Sequence, residues 1–134
     1  MNAGKGQPTQ AIRALIAAHG TLAAGLASAV EQITGRGAIF LAMSNTSLSL
    51  SDIQESLVRA LDETGARVIF TDLPAGSCTM AVRKLMRTRP DVVLVTGANL
   101  PLLLDFAMQD DADPAVAARA ALDRGRASMV AHGA

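Results

Sequence analysis

The sequence predicts a three-layer α/β domain, with a mostly parallel four-stranded sheet and helices on both faces. Three observations lead there. Four short apolar runs alternate with segments of helical period, the order that builds a parallel sheet through helical crossovers. Those runs are apolar throughout rather than alternating, as in strands covered on both faces. And half of the 134 residues are apolar while 18% are charged, which supplies one core and excludes a disordered chain.

Residues 1–10, polar and glycine-rich with one proline, read as a flexible leader, and 11–134 as a single domain. Ala11 to Ala18 is the first strand, ended by His19-Gly20. Thr21 to Thr34 places Leu22, Leu26, Ala29 and Ile33 on one helical stripe, and Gly35 and Gly37 stop that helix. Ala38 to Ala42 is the second strand, and a serine-rich stretch leads to Ser51, which with Gln54 forms a capping-box signature for a helix to about Glu63. Gly65 ends it. Arg67 to Thr71 is the third strand, the loop Asp72 to Ser77 enters a helix from about Cys78 to Thr88, and Asp91 to Thr96 is the fourth strand. A turn at Gly97-Ala98-Asn99 precedes a helix around Leu102 to Met108. Asp113-Pro114, an N-cap with proline in the first turn, opens the last helix, which fades near His132.

Composition excludes several classes of partner. Twelve basic residues balance twelve acidic ones, leaving no electrostatic footprint for nucleic acid or an anionic membrane. With no tryptophan or tyrosine and three phenylalanines, there is no stacking platform for single strands. Val92 to Met108 is the nearest approach to a spanning segment but is interrupted by Gly97, Asn99, Pro101 and Asp105. Cys78 stands alone, which fits a reducing, cytoplasmic location, and one cysteine with two histidines builds no closed structural zinc site. No nucleotide motif follows a strand, so no cofactor is expected, nor a metal. Asp110, Asp111 and Asp113 read as a solvated loop and a helix cap, Cys78 as a small buried residue, and His132 carries no role.

In sheets of this kind the ligand site lies beyond the carboxyl ends of the strands, where the strand order reverses. Four turns qualify: His19-Gly20, the segment after Ala42, Asp72 to Ser77, and Gly97 to Asn99. His19 is the best-placed reactive group, at a strand end before a tight glycine turn into a helix whose amino end favours anions. If the third strand neighbours the first, Asp72 meets it, accepts one imidazole N–H, and leaves the other nitrogen as a nucleophile. Ser77 and the backbone N–H groups of Ala75 to Cys78 would then donate to a phosphoryl oxygen. Position alone also admits a blander account, in which His19 is an ordinary surface histidine and Asp72 caps the next helix.

Four segments in order carry a family resemblance from Ile12 to about His132: HGTLAAGLASAVEQITG, TDLPAGS, VTGANLPLLLDFAM and ARAALDRGRASM. They resemble the mannose-type EIIA components of the bacterial phosphoenolpyruvate-dependent sugar phosphotransferase system. The first is similar to that family's histidine turn, the second to its D-x-x-G-G-[ST] loop, the third to its G-x-N-L/I-P-x-L segment. The resemblance implies a phosphotransferase in which His19 accepts a phosphoryl group from HPr and passes it to a sugar-specific EIIB. Asp72 would orient it, and Gly20, Gly76, Ser77 and Asn99 would shape the phosphoryl site. It further implies a homodimer that associates with membrane EIIC and EIID components without inserting. Two related roles share these features: the phosphoryl-donor subunit of dihydroxyacetone kinase, and a regulatory module read out through His19 phosphorylation. Ala75, where the family has glycine, and Cys78, where proline is frequent, depart from the pattern.

Overall fold

The computed structural model describes residues 11–134, so the leader expected over 1–10 lies outside the described residues. The elements run β1 (Ala14–Ala18), α1 (Leu22–Thr34), a 3-10 turn (Gly37–Ile39), β2 (Phe40–Ser44), α2 (Leu50–Thr64), β3 (Val68–Thr71), α3 (Ser77–Leu85), β4 (Val93–Val95), α4 (Leu100–Ala107) and α5 (Pro114–Ala127). All strand pairs are parallel, in the order β2-β1-β3-β4. The chain steps from β1 to one side, then crosses back over β1 to β3. Side-chain packing divides the helices accordingly. The sheet residues Ile16, Val68 and Phe70 share a core with α1, α4 and α5, whereas Leu15, Ala17 and Ile69 share one with α2 and α3. Crossovers in opposite directions thus lie on opposite faces, as a single crossover handedness requires.

The central strands β1 and β3 are buried along their whole length, which is why they carry no polar residue but Thr71. Full burial of all four strands does not hold: in β2 and β4, the two edges, Leu41 to Met43 and Val93 to Leu94 are half-buried. The only three phenylalanines meet in the α1/α4/α5 core, Phe70 edge-on to Phe106 at 5.1 Å and Phe40 within 6.3 Å of both. Arg13 closes this core from below, its guanidinium over the Phe106 ring and donating to the carbonyls of Gln109 and Ala112 at the end of α4.

Two local expectations are corrected. The buried face of α1 is Ala23 and Val30, with Leu26 and Ala27 beside them, while Leu22 and Ile33 are exposed. The turn after α1 packs hard against it: a Cβ on Gly37 would stand 2.5 Å from the Ala27 carbonyl oxygen, so glycine is required there. The α2 capping box is Ser49 with Asp52, not Ser51 with Gln54. Asp52 N–H donates to Ser49 Oγ at 3.1 Å and Ser49 N–H returns a bond to Asp52 Oδ2 at 3.3 Å. The two candidate boxes overlap by two residues, and Ile53, Leu57 and Leu61 face the core whichever one starts the helix, so patterning could not separate them.

Candidate functional site

The strand order reverses between β1 and β3, and the residues that follow those two strands are His19 and Asp72. Direct pairing of Ala17 with Thr71 brings the two chain ends side by side. His19 Nδ1 lies 2.9 Å from Asp72 Oδ2, and the His19 backbone N–H donates to the same oxygen at 3.1 Å. The carboxylate is 11% exposed and the imidazole 46%. Burial pushes the Asp72 carboxyl up, but the hydrogen bonds from the His19 backbone and ring, with its own backbone N–H, outweigh this and hold it below the ordinary carboxylate range. An ionised Asp72 only accepts, so a neutral His19 carries its proton on Nδ1 and turns the Nε2 lone pair outward.

Gly20 takes φ +58°, the left-handed turn that lets α1 begin at once, with Leu22 N–H on the His19 carbonyl at 3.1 Å. Across the site Gly76, at φ +128°, precedes Ser77, the first residue of α3. A Cβ on Gly76 would lie 3.5 Å from His19 Cε1, so the amino end of α3 abuts the ring. No side chain caps that end, which leaves its first N–H groups with their dipole for an anion. Ser77 Oγ accepts from Asn45 Nδ2 at 2.9 Å. Beneath the loop, Thr71 and Thr79 hydroxyls lie 2.6 Å apart and Thr79 donates to the Leu73 carbonyl at 2.6 Å, a buried relay that fixes the path from Asp72 into α3.

Asn99 has another task. It caps α4 by accepting Leu102 N–H at 3.0 Å, and its amide donates to the Gly125 carbonyl at 2.9 Å, tying α4 to α5. Its polar atoms are committed to the frame, at the end of β4, rather than aimed at His19. Ala75 is exposed and does not take a positive φ, so the alanine adds no backbone strain to the loop. Cys78 is buried in the α2/α3 layer, and burial with the nearby Asp72 charge pushes its thiol up. Asp110 pairs with Arg36, and Asp113 caps α5 while pairing with Arg67.

Asn45, Thr71 and Thr79 were not singled out by sequence. The serine-rich turn was, but nothing in its composition marks which residue reaches α3. Two grooves of the described residues lie away from His19: one, about 600 Å³, runs along β4 and α5, and the other, about 610 Å³, lies on the outer face of α2. The His19 imidazole, 46% exposed, stands instead at the surface.

Fold and site together define a class, a parallel α/β domain with an exposed, carboxylate-backed histidine at its topological switch point. Within it, residues 13–122 match the family model EIIA-man, described as the PTS system fructose IIA component, and the chain belongs to that family. It is a phosphotransferase-system component of the IIA kind. Solved structures agree in fold. A mannose/sorbose-specific IIA subunit from Enterococcus faecalis superposes with TM-score 0.77 at 19% identity, covering 93% of this chain and 97% of that one. The EIIA component from Streptococcus agalactiae gives 0.80 at 20% identity over 90% and 96%. A PTS IIA protein associated with the fucose utilization operon of Streptococcus pneumoniae gives 0.78 at 19% over 92% and 94%. No curated protein matches the sequence. Among the described residues no helix is long and apolar enough to cross a membrane.

Proposed function

We propose that this chain is a phosphohistidine carrier: His19 Nε2 accepts a phosphoryl group from the phosphohistidine of HPr and passes it to a sugar-specific EIIB. The observation that carries the reading is the 2.9 Å approach of His19 Nδ1 to an ionised Asp72, because it leaves Nε2 as the nucleophile and places a negative charge behind the ring. In the forward step Nε2 attacks phosphorus as the bond to the donor imidazole breaks. The product ring is cationic, and Asp72 stabilises it at the opposite nitrogen. Gly20 and Gly76 keep the backbone clear of the phosphoryl group, and the N–H groups opening α3, with the Ser77 hydroxyl, receive its oxygens. Asn99 supports the sheet edge from a distance. Exposure of the ring suits transfer between proteins, which must present both nitrogens to each other.

The family and the half-exposed edge strand β4 support a homodimer working beside membrane EIIC and EIID components from the cytoplasmic side. Light scattering at micromolar concentration tests the dimer, and a monomer mass there refutes it. The carrier reading is tested by incubating the chain with labelled phosphoenolpyruvate, enzyme I and HPr. One acid-labile, base-stable label is expected, absent from His19→Ala and chased by EIIB. Label that survives acid, or that persists in His19→Ala, overturns it.

A further inference from the structure

Asn45 follows β2 directly, and its backbone N–H extends the ladder by donating to the Ala18 carbonyl, one residue before His19, at 3.3 Å. Its carbonyl accepts Leu48 N–H at 3.1 Å across a turn in which Ser47 takes φ +62°, a left-handed conformation that is uncommon for serine. Backbone bonds on both sides therefore fix where Asn45 stands, and from there its side chain crosses to α3 and donates Nδ2 to Ser77 Oγ at 2.9 Å. Ser77 itself sits next to Gly76, whose backbone abuts the His19 ring. Three separate loops, those after β1, β2 and β3, are thus joined within one short chain of contacts.

We propose that Asn45 is a positioning residue for the transfer, acting through Ser77 to aim its hydroxyl hydrogen at the phosphoryl group on His19. An amide nitrogen has no lone pair to accept with, so a serine oxygen that receives Nδ2–H must send its own O–H elsewhere. A phosphoryl oxygen on His19, being charged, would be a far stronger acceptor for it than a neutral neighbour such as the Cys78 thiol. Accepting from the amide also polarises the hydroxyl and makes it a better donor. No bond forms or breaks at Asn45. Its contribution is the direction of one hydrogen bond, made before the phosphoryl group arrives.

This inference rests on the carrier reading, and the experiment separates the two. Rates of label transfer from phospho-HPr are measured by rapid quench for the wild type, Asn45→Ala, Asn45→Asp, Ser77→Ala and both double variants, with urea midpoints alongside. Asn45→Ala is expected to be slowed roughly 3- to 10-fold, the reach of one neutral hydrogen bond. Asn45→Asp keeps the size but accepts the Ser77 hydrogen and turns it from the site, so it is slowed at least as much as Ser77→Ala. In the Ser77→Ala background Asn45→Ala should change the rate less than about twofold, because its route to the phosphoryl group is gone. A residue that merely held the loop would give additive losses and a lowered urea midpoint. Additive losses, or wild-type transfer by Asn45→Asp, overturn the inference while leaving the carrier reading intact. A wild-type chain that takes up no label overturns both.

Discussion

Replacing Asp72 by asparagine isolates the charge behind His19 from the geometry. Both bonds, from the backbone N–H at 3.1 Å and from Nδ1 at 2.9 Å, end on one carboxylate oxygen. An asparagine that turned its NH2 group to that point would face two donors, so its oxygen stays there and the Nδ1–H tautomer is retained. The backbone bond removes the amide's freedom to select the wrong tautomer. What is lost is charge. A hydrogen bond to an ionised group contributes about 1.5–3 kcal/mol against about 1 for a neutral one, so the barrier should rise by about 0.5–2 kcal/mol, a slowing of roughly 2- to 30-fold. Asp72→Ala removes the acceptor entirely, frees the ring and the tautomer, and should be slower by a further factor of about 10 or more. Rapid-quench transfer from phospho-HPr reads both, and a urea midpoint for each variant shows whether slow chemistry is slow because the chain is unfolded. Wild-type transfer by Asp72→Asn, or Asp72→Ala no slower than Asp72→Asn, would refute the argument.

The pH dependence of Asp72 has a definite sign. Its folded-state pKa lies below the unfolded one, so its contribution to stability is present above the unfolded value and lost as pH falls through the folded one. The difference in urea midpoint between wild type and Asp72→Asn should therefore shrink in acid, and a difference that grows there contradicts the assignment. Arg13→Ala strips three carbonyls at the end of α4 of a charged donor and uncovers Phe106. We expect a loss of about 2–3 kcal/mol by urea unfolding, and a change under about 0.5 kcal/mol would show the clamp to be idle. Gly125→Ala puts a Cβ 2.7 Å from Leu102 Cβ and 3.1 Å from Asn99 Oδ1. Wedging α5 from α4 should cost about 1–3 kcal/mol, and an unchanged midpoint would show that the helices part freely.

The sequence by itself determined the alternation of strands and helices, because burial on both faces leaves an unbroken apolar run and the first two helices carry glycine stops at Gly35 and Gly65. His19 and Asp72 were legible for the same reason, since each ends such a run, and parallel sheets put those ends on one edge. Only the tertiary structure decided that β3 lies against β1, the condition on which their contact depends, because strand order is set by packing between distant segments. It also set which face of α1 is buried, where Ala23 and Val30 rather than the larger Leu22 and Ile33 meet the core: pattern records hydrophobicity, while packing against the sheet picks the stripe that is covered. Asn99 showed the same gap, for a residue at the right sheet edge is claimed by whichever donors and acceptors stand nearer, here Leu102 and Gly125. Asn45 lay in a stretch of small polar residues with nothing to set it apart. Its reach to Ser77 spans 32 positions and exists only once three loops share one end of the sheet.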